Sequence, residues 1–291
     1  MKRILITGAS SFVGNAVRKH LEKNPGQYDV TAMSMRDGAW REKDLSGYDC
    51  IYHVAGLAHS DTGKATEEEK EQYYAVNTEL TAEIAEKAKA EGVGQFIFMS
   101  SAIVYGDSAP VGKEKLIDRN TPCSPANFYG DSKVQAEKRL QRLADDSFKV
   151  VILRCPMIYG RGGKGNFPVL EALAKKLPVF PKVENKRSML YVGNLAEFVR
   201  LMIENEESGI FWPCNREWSN TSELVRAIAE CHGKKVVLLP GFLWALKLLS
   251  PFSGYVDKAF GSLAYEEHLG DYRENYRLYS LEESIKETER E

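Results

Sequence analysis

In the stretch SPANFYGDSKVQAEKRL, residues 124–140, Tyr129 stands four residues before Lys133. Four residues is about one helical turn, so on a helix both side chains leave from the same face. A phenol beside an ammonium is a candidate catalytic acid held next to a cation. Alone, the phenol exchanges protons poorly near neutrality, because its pKa is about 10. A neighbouring positive charge favours the phenolate and draws that value down towards working pH. The spacing by itself decides nothing: with 14 Tyr and 23 Lys in 291 residues, about one such pair arises in a shuffled chain. Its meaning depends on the elements that hold it.

Those elements alternate. RILIT (3–7) reads as a buried strand and FVGNAVRKHLEKN (12–24) as the helix that follows. Strands are expected at 28–35, 48–56, 95–101 and 149–155, and helices at 67–92, through the Tyr129 segment, and at 191–205. Strand–helix alternation implies an α/β fold with a parallel sheet covered on both faces, and such sheets bind ligands beyond the carboxyl ends of their strands. From about Arg161 the pattern is irregular and rich in Pro and aromatics, apart from a helical stretch at 221–233. Residues 1–160, with 191–208 returning to them, are therefore expected to form a dinucleotide-binding domain. Residues 161–291 are expected to form mainly a smaller, mixed domain, which the resemblance described below makes substrate-binding.

Composition narrows the class. Hydrophobic residues make up 43% and charged residues 27%, with a net charge of −2; nothing advertises a nucleic-acid partner. Five scattered cysteines without a CxxC pair point to reduced thiols, with no metal site and no disulfide frame. MKRILITG runs from strand into turn and does not read as a secretory signal. LLPGFLWALKLLSPF is broken by Pro240, Lys247 and Pro251 and is too short to span a bilayer. A cytoplasmic protein with no membrane partner is expected, with FLWALKLL as core or lid rather than a membrane-surface helix.

ITGASSFVGNAV joins the first strand to the first helix. A strand, a tight Gly turn and a helix N-terminus make an anion site, because free amides point at a diphosphate and small residues let the backbones approach. Gly8, Ser10, Ser11, Phe12, Val13 and Gly14 are the candidates there, with Ser11 where a middle glycine is expected. About 20 residues past the last glycine, a carboxylate would bind the ribose hydroxyl of NAD. Ser34 holds that place, and Arg36 precedes the first acid, Asp37. A hydroxyl and a guanidinium suit a 2′-phosphate that a carboxylate would repel, so NADP is the expected cofactor, with NAD the alternative. Asp44 and Leu45 suit the adenine edge.

Taken in order, TGASSFVG, HVAG, Val76–Asn77, MSSAIVYG, YGDSK and LRCPMIYG resemble the extended short-chain dehydrogenase/reductase superfamily, in particular the NAD-dependent epimerase/dehydratase family. The resemblance runs from Lys2 to about Leu239. It implies a Rossmann-type doubly wound sheet and a catalytic set of Ser101, Tyr129 and Lys133, with Ser100 the neighbouring alternative to Ser101. It places Val54, Ala55, Gly56, Ser100, Pro156 and Ile158 around the cofactor and gives Asn77 a bracing role. It assigns Asn166 and Arg187 to the diphosphate of a nucleotide-sugar substrate, with Arg273 the remaining guess for a second arginine. His59 is a possible sugar contact. The helices at 67–92 and 124–140 resemble the pair that forms a homodimer interface in this family.

Family members that dehydrate nucleotide sugars carry an Asp–Glu pair just after the catalytic Ser or Thr. Here those positions are Ala102 and Ile103, which disfavours elimination. The expected reaction is NADPH-dependent reduction of the C4 ketone of a UDP-4-keto-6-deoxy-(N-acetyl)hexosamine in surface-polysaccharide synthesis. The alternatives are a UDP-hexose or UDP-N-acetylhexosamine 4-epimerase with tightly bound NAD, and a non-catalytic NADP-binding sensor.

Overall fold

The computed structural model describes residues 1–58, 65–249 and 254–290. They fall into two compact units. The first comprises Met1–Gly106, Cys123–Cys155 and Leu195–Pro213. Its chain begins β1 (Lys2–Thr7), α1 (Phe12–Leu21), β2 (Tyr28–Met33), β3 (Cys50–His53), α2 (Glu67–Tyr74), α3 (Leu80–Ala90) and β4 (Gln95–Ser101). The second unit contributes β5 (Leu116–Ile117), and the first resumes with α4 (Phe128–Leu143) and β6 (Lys149–Cys155). After β7 (Met157–Tyr159), α5 (Asn166–Lys176), β8 (Val179–Pro181) and β9 (Met189–Tyr191), α6 (Val192–Glu204) leads to β10 (Gly209–Phe211).

Six strands of the first unit form one sheet in the order β10-β6-β4-β3-β1-β2, and every pairing is parallel. The expected Rossmann-type doubly wound sheet is therefore present. Its central strands are buried along nearly their whole length, which is why they read as unbroken apolar runs rather than alternating ones. Leu5, Ile51, Phe96, Phe98, Val150 and Ile152 from the sheet pack with Ile84 and Ala88 of α3 and Ala136 and Leu140 of α4. The strand order reverses at β1 and β3, the switch point outside which ligands bind in such sheets.

The helix expected over 67–92 is not continuous. Ala75–Glu79 forms a π turn between α2 and α3. Asn77 inside it accepts from the Leu57 amide at 2.8 Å and donates to the Leu57 carbonyl and to Ser132 Oγ, each at 3.1 Å. The widened turn lets one buried side chain brace the loop after β3 against α4, and π turns of this kind recur at functional sites.

The second unit is Asp107–Pro122, Pro156–Asn194 and Cys214–Glu291. It completes the chain with α7 (Thr221–Cys231), β11 (Val237–Leu239), α8 (Leu243–Leu249), α9 (Gly254–Phe260), β12 (Ala264–Tyr265) and α10 (Leu281–Glu289). Three short parallel pairs, β7–β9, β8–β11 and β5–β12, accompany a core of Tyr159, Phe167, Leu170, Leu224, Ile228 and Ile285. The buried Tyr159 hydroxyl meets Ser284 and Asn215, which ties α10 to β7. Of the core-or-lid expectation for FLWALKLL, the core half is overturned here. Only Leu246 of that segment is buried, against Val111 and Val183.

At Gly130 a side chain has no room. A Cβ would lie 2.8 Å from the Ile103 carbonyl oxygen and 2.9 Å from Pro125 Cβ, so α4 presses its N-terminus against the turn that follows β4. We expect Gly130→Ala to lower stability by about 1–3 kcal/mol, as overpacking does, measured by urea unfolding; an unchanged midpoint would contradict the close approach.

Candidate active site

Ser101 ends β4, and Tyr129 and Lys133 occupy successive turns at the start of α4, whose N-cap is Asn127. The three expected catalytic side chains therefore lie on two elements that Gly130 allows to touch. Ser101 Oγ accepts from the Ile103 amide at 3.3 Å, and its hydroxyl lies close enough to the Tyr129 phenol to favour the phenolate. The neighbouring Ser100 faces inward and donates to Glu137, so the two serines are not equivalent: only Ser101 meets the phenol.

Lys133 is buried, its Nζ 2.9 Å from the Met99 carbonyl and 4.6 Å from the centre of the Phe98 ring. Burial pushes its pKa down to about 8, against the upward pull of Glu137 one turn further along α4. Glu137 in turn is held by Arg154 of β6 through Nη2 at 2.7 Å, and Arg154 Nη1 donates to the Tyr105 hydroxyl at 2.7 Å. Trp212 Nε1 donates to the same hydroxyl at 2.7 Å. Sequence reasoning did not single out Glu137, Arg154, Tyr105 or Trp212. The signal available was Glu137 at Lys133 + 4, on the same helix face.

Burial pushes the Tyr129 pKa up to about 12, opposed by the Ser101 hydroxyl and aided by Tyr73 and Cys155. Lys133 does not draw it down, because the ammonium is directed at the Met99 carbonyl and the Phe98 face. Tyr129 is therefore a protonated phenol through neutral pH. The ring of Tyr73 packs edge-on against it at 5.8 Å.

The Gly-rich loop is built for close approach. Gly8 has φ +77°, and a Cβ there would stand 3.0 Å from the Ala55 amide. At Gly14 a Cβ would stand 2.9 Å from Val54 Cγ2. Ser11 takes the middle position as N-cap of α1, accepting from the Gly14 amide at 3.3 Å. The first turn of α1 carries no acid, so its amides face no competing carboxylate. Ser10, Phe12 and Val13 line this exposed to half-buried turn. Val54 and Ala55 are fixed by amides that donate to Thr7 Oγ1 at 3.2 and 3.4 Å, and Gly56 adjoins Asn77 and Lys133. Such a cradle fits a dinucleotide diphosphate.

Beyond β2, Ser34 and Arg36 are exposed, and the Arg36 amide donates to Ser34 Oγ at 3.3 Å. Among the described residues the Arg36 guanidinium has no ion-pair partner. Asp44 turns back on the Ser46 amide at 2.8 Å. The Leu45 side chain is buried in the core and its amide donates to Glu91 at 2.6 Å. These two are engaged within the fold.

In the second unit, Pro156 and Ile158 are half-buried around β7, and Asn166 is exposed at the first position of α5. Arg187 is half-buried and donates to the Gly261 carbonyl at 3.1 Å. Desolvation alone lowers its pKa, and no carboxylate among the described residues pairs with it. Arg273 is exposed, over the Tyr272 ring and 3.9 Å from Glu274; the more enclosed arginine is Arg277, bound to the Cys214 carbonyl and Asp271. His59 lies outside the described residues.

With this geometry in hand, the comparisons with known proteins are specific. A profile of the NAD dependent epimerase/dehydratase family matches residues 4–211, and the chain belongs to that family. A Vibrio cholerae protein named UDP-glucose 4-epimerase is 32% identical over 288 residues, 90% of this chain and 86% of that one. An Escherichia coli O157:H7 protein named N-acetyl-alpha-D-glucosaminyl-diphospho-ditrans,octacis-undecaprenol 4-epimerase is 29% identical over 252 residues, 80% of this chain and 73% of that one. A crystal structure of a dTDP-4-dehydrorhamnose reductase from Clostridium acetobutylicum superposes with a TM-score of 0.75 at 18% identity, covering 98% of both chains. The class is thus an NAD(P)-dependent enzyme of the nucleotide-sugar epimerase and reductase type. Among the described residues no helix is long and apolar enough to cross a membrane.

His53, at the end of β3, bridges Thr7 and Thr81 at 2.9 and 3.0 Å and is fully buried. Burial, and next the Lys133 charge, depress its pKa to about 3. The folded chain thus keeps it neutral while the unfolded chain takes up a proton below about pH 6.5. Its contribution is whole above that pH and is lost as pH falls towards 3. In urea unfolding across this window, His53→Asn should reduce the slope of stability against pH by up to about 1.4 kcal/mol per unit; an unaltered slope would mean that His53 is protonated in the fold.

Proposed function

We propose that the chain reduces the C4 ketone of a UDP-4-keto-6-deoxy-(N-acetyl)hexosamine with NADPH, in surface-polysaccharide synthesis. The observation that carries this reading is a phenol and a lysine on the first turns of α4 beside a serine at the end of β4. Reduction requires a proton donor, and Tyr129 enters the reaction protonated. The cofactor, when bound, supplies the hydride. Gly8, Ser11 and Gly14 would admit its diphosphate, Arg36 and Ser34 would suit its 2′-phosphate, and Lys133 would hold the ribose side. Ser101 donates a hydrogen bond to the ketone oxygen, and Tyr129 delivers its proton to that oxygen as negative charge develops there. Arg187, a half-buried cation with no carboxylate partner among the described residues, suits the substrate diphosphate, with Asn166 the further candidate. Ala102 and Ile103 leave no second acid–base pair for elimination. A homodimer built on α2, α3 and α4 is part of this proposal.

A second reading is a 4-epimerase acting on a UDP-hexose or UDP-N-acetylhexosamine, favoured by the names of the two relatives. There Tyr129 must first act as a base, which calls for the positive charge of an oxidised, retained nicotinamide to lower its pKa. Purified protein that is free of cofactor and consumes NADPH with a UDP-4-keto-6-deoxy sugar supports the reductase. Bound NAD with interconversion of UDP-hexoses, and no NADPH consumption, supports the epimerase instead.

Under either reading, Tyr129→Phe should lower kcat by about 10²–10⁴-fold, the usual worth of a positioned acid, while leaving cofactor affinity within a few-fold; wild-type turnover would remove Tyr129 from the chemistry. Arg36→Ala should weaken NADPH binding tenfold or more and leave NADH binding unchanged, measured by fluorescence titration. Equal loss for both cofactors would assign Arg36 no part in choosing between them.

A further inference from the structure

We propose that α8 and the loop leading into it form a docking surface for an anionic lipid bilayer, whichever reaction the enzyme performs. Large apolar side chains are concentrated there: Phe242, Leu243, Trp244, Leu248 and Leu249 are all exposed, Trp244 by 71% and Leu248 by 63%. Leu246 alone faces inward, against Val111 and Val183. The stretch just before it continues the exposure, since Val237 of β11 pairs in register with Val179 of β8 and both are exposed. Apolar surface gathered in one segment marks a binding face rather than scattered surface residues.

Charge identifies the occupant. Residues 232–256 contain Lys234, Lys235 and Lys247 and no Asp or Glu, in a chain whose net charge is −2. All three lysines are exposed. A helix with Trp and Leu side chains outward, flanked by lysines and free of acids, has the chemistry of an interfacial membrane helix: the apolar groups enter the acyl boundary and the ammoniums meet anionic headgroups. A second copy of the chain is a poorer fit. A seven-residue helix is only about 10 Å long, short for the roughly 800 Å² per partner of a stable protein interface, whereas shallow insertion needs only a few side chains. The surface spans nothing; it would hold the enzyme at the bilayer face.

The test is flotation of the full chain with vesicles of phosphatidylcholine and phosphatidylglycerol (7:3) at low and high salt. The protein should float with these vesicles, less with pure phosphatidylcholine, and less as salt rises. Trp244→Glu/Leu248→Glu should cut partitioning at least tenfold, and Lys234→Gln/Lys235→Gln/Lys247→Gln should cut it on anionic vesicles only. Brominated lipid should quench wild-type tryptophan emission and leave Trp244→Phe less affected. Far-UV circular dichroism and the urea midpoint check folding independently of any activity, so failure of the proposed reaction leaves this test intact. Absence of flotation, equal flotation of both multiple variants, or a dimer in light scattering that the Trp244/Leu248 variant dissociates would overturn the proposal, the last by giving the face to a second copy.

Discussion

The candidate site depends on keeping an ammonium charged inside an apolar wall. Lys133 has left water almost completely, and desolvation penalises its charge. What opposes that penalty is a relay: the Met99 carbonyl and Phe98 face hold Nζ, Glu137 supplies negative charge, and Arg154 compensates Glu137. Arg154 then requires the Tyr105 hydroxyl, which also receives Trp212. A buried charge that loses its partner costs several kcal/mol, so each member constrains the next. The relay binds α4, β4, β6 and the segment after β10 into one arrangement, and Lys133 rests on all of it.

The same low-polarity setting explains the state of the phenol. In water, a lysine one turn away would ease ionisation of Tyr129. Here desolvation outweighs it, the ammonium is directed elsewhere, and the phenol holds its proton against the opposing pull of Ser101. His53 is the counterpart on β3: buried beside the same ammonium, it stays neutral and serves to join Thr7 to Thr81. One set of buried groups thus fixes two protonation states and positions the strands that carry the Gly-rich loop and the HVAG turn.

Approach distances are the other determinant. Gly8 and Gly14 let the first loop lie against Val54 and Ala55, and Gly130 lets α4 reach the turn after β4. In each case the missing Cβ is the space that a backbone or side chain now occupies. Ser11, which departs from the usual glycine, costs nothing in packing because it sits at the helix N-cap, where its hydroxyl accepts an amide.

Much of this was written in the sequence, because parallel strands buried on both faces and helices of regular period leave direct signatures. The strands β1, β2, β3, β4 and β6, the helices α1, α4, α6 and α7 and the Gly-rich turn follow from local pattern, and Ser101, Tyr129 and Lys133 could be named from motifs in order; the short β10 could not. Only the tertiary structure decided the rest. The π turn at Asn77 arises from hydrogen bonds to residues 20 and 55 positions away, and the Glu137–Arg154–Tyr105–Trp212 relay joins positions up to 107 residues apart. Ser101 and Ser100 were separated by which one Glu137 claims, and FLWALKLL by the lack of anything but Leu246 facing inward. Periodicity and residue type reveal what a segment can form; which groups lose water, and which partner then compensates them, is fixed only when distant segments meet.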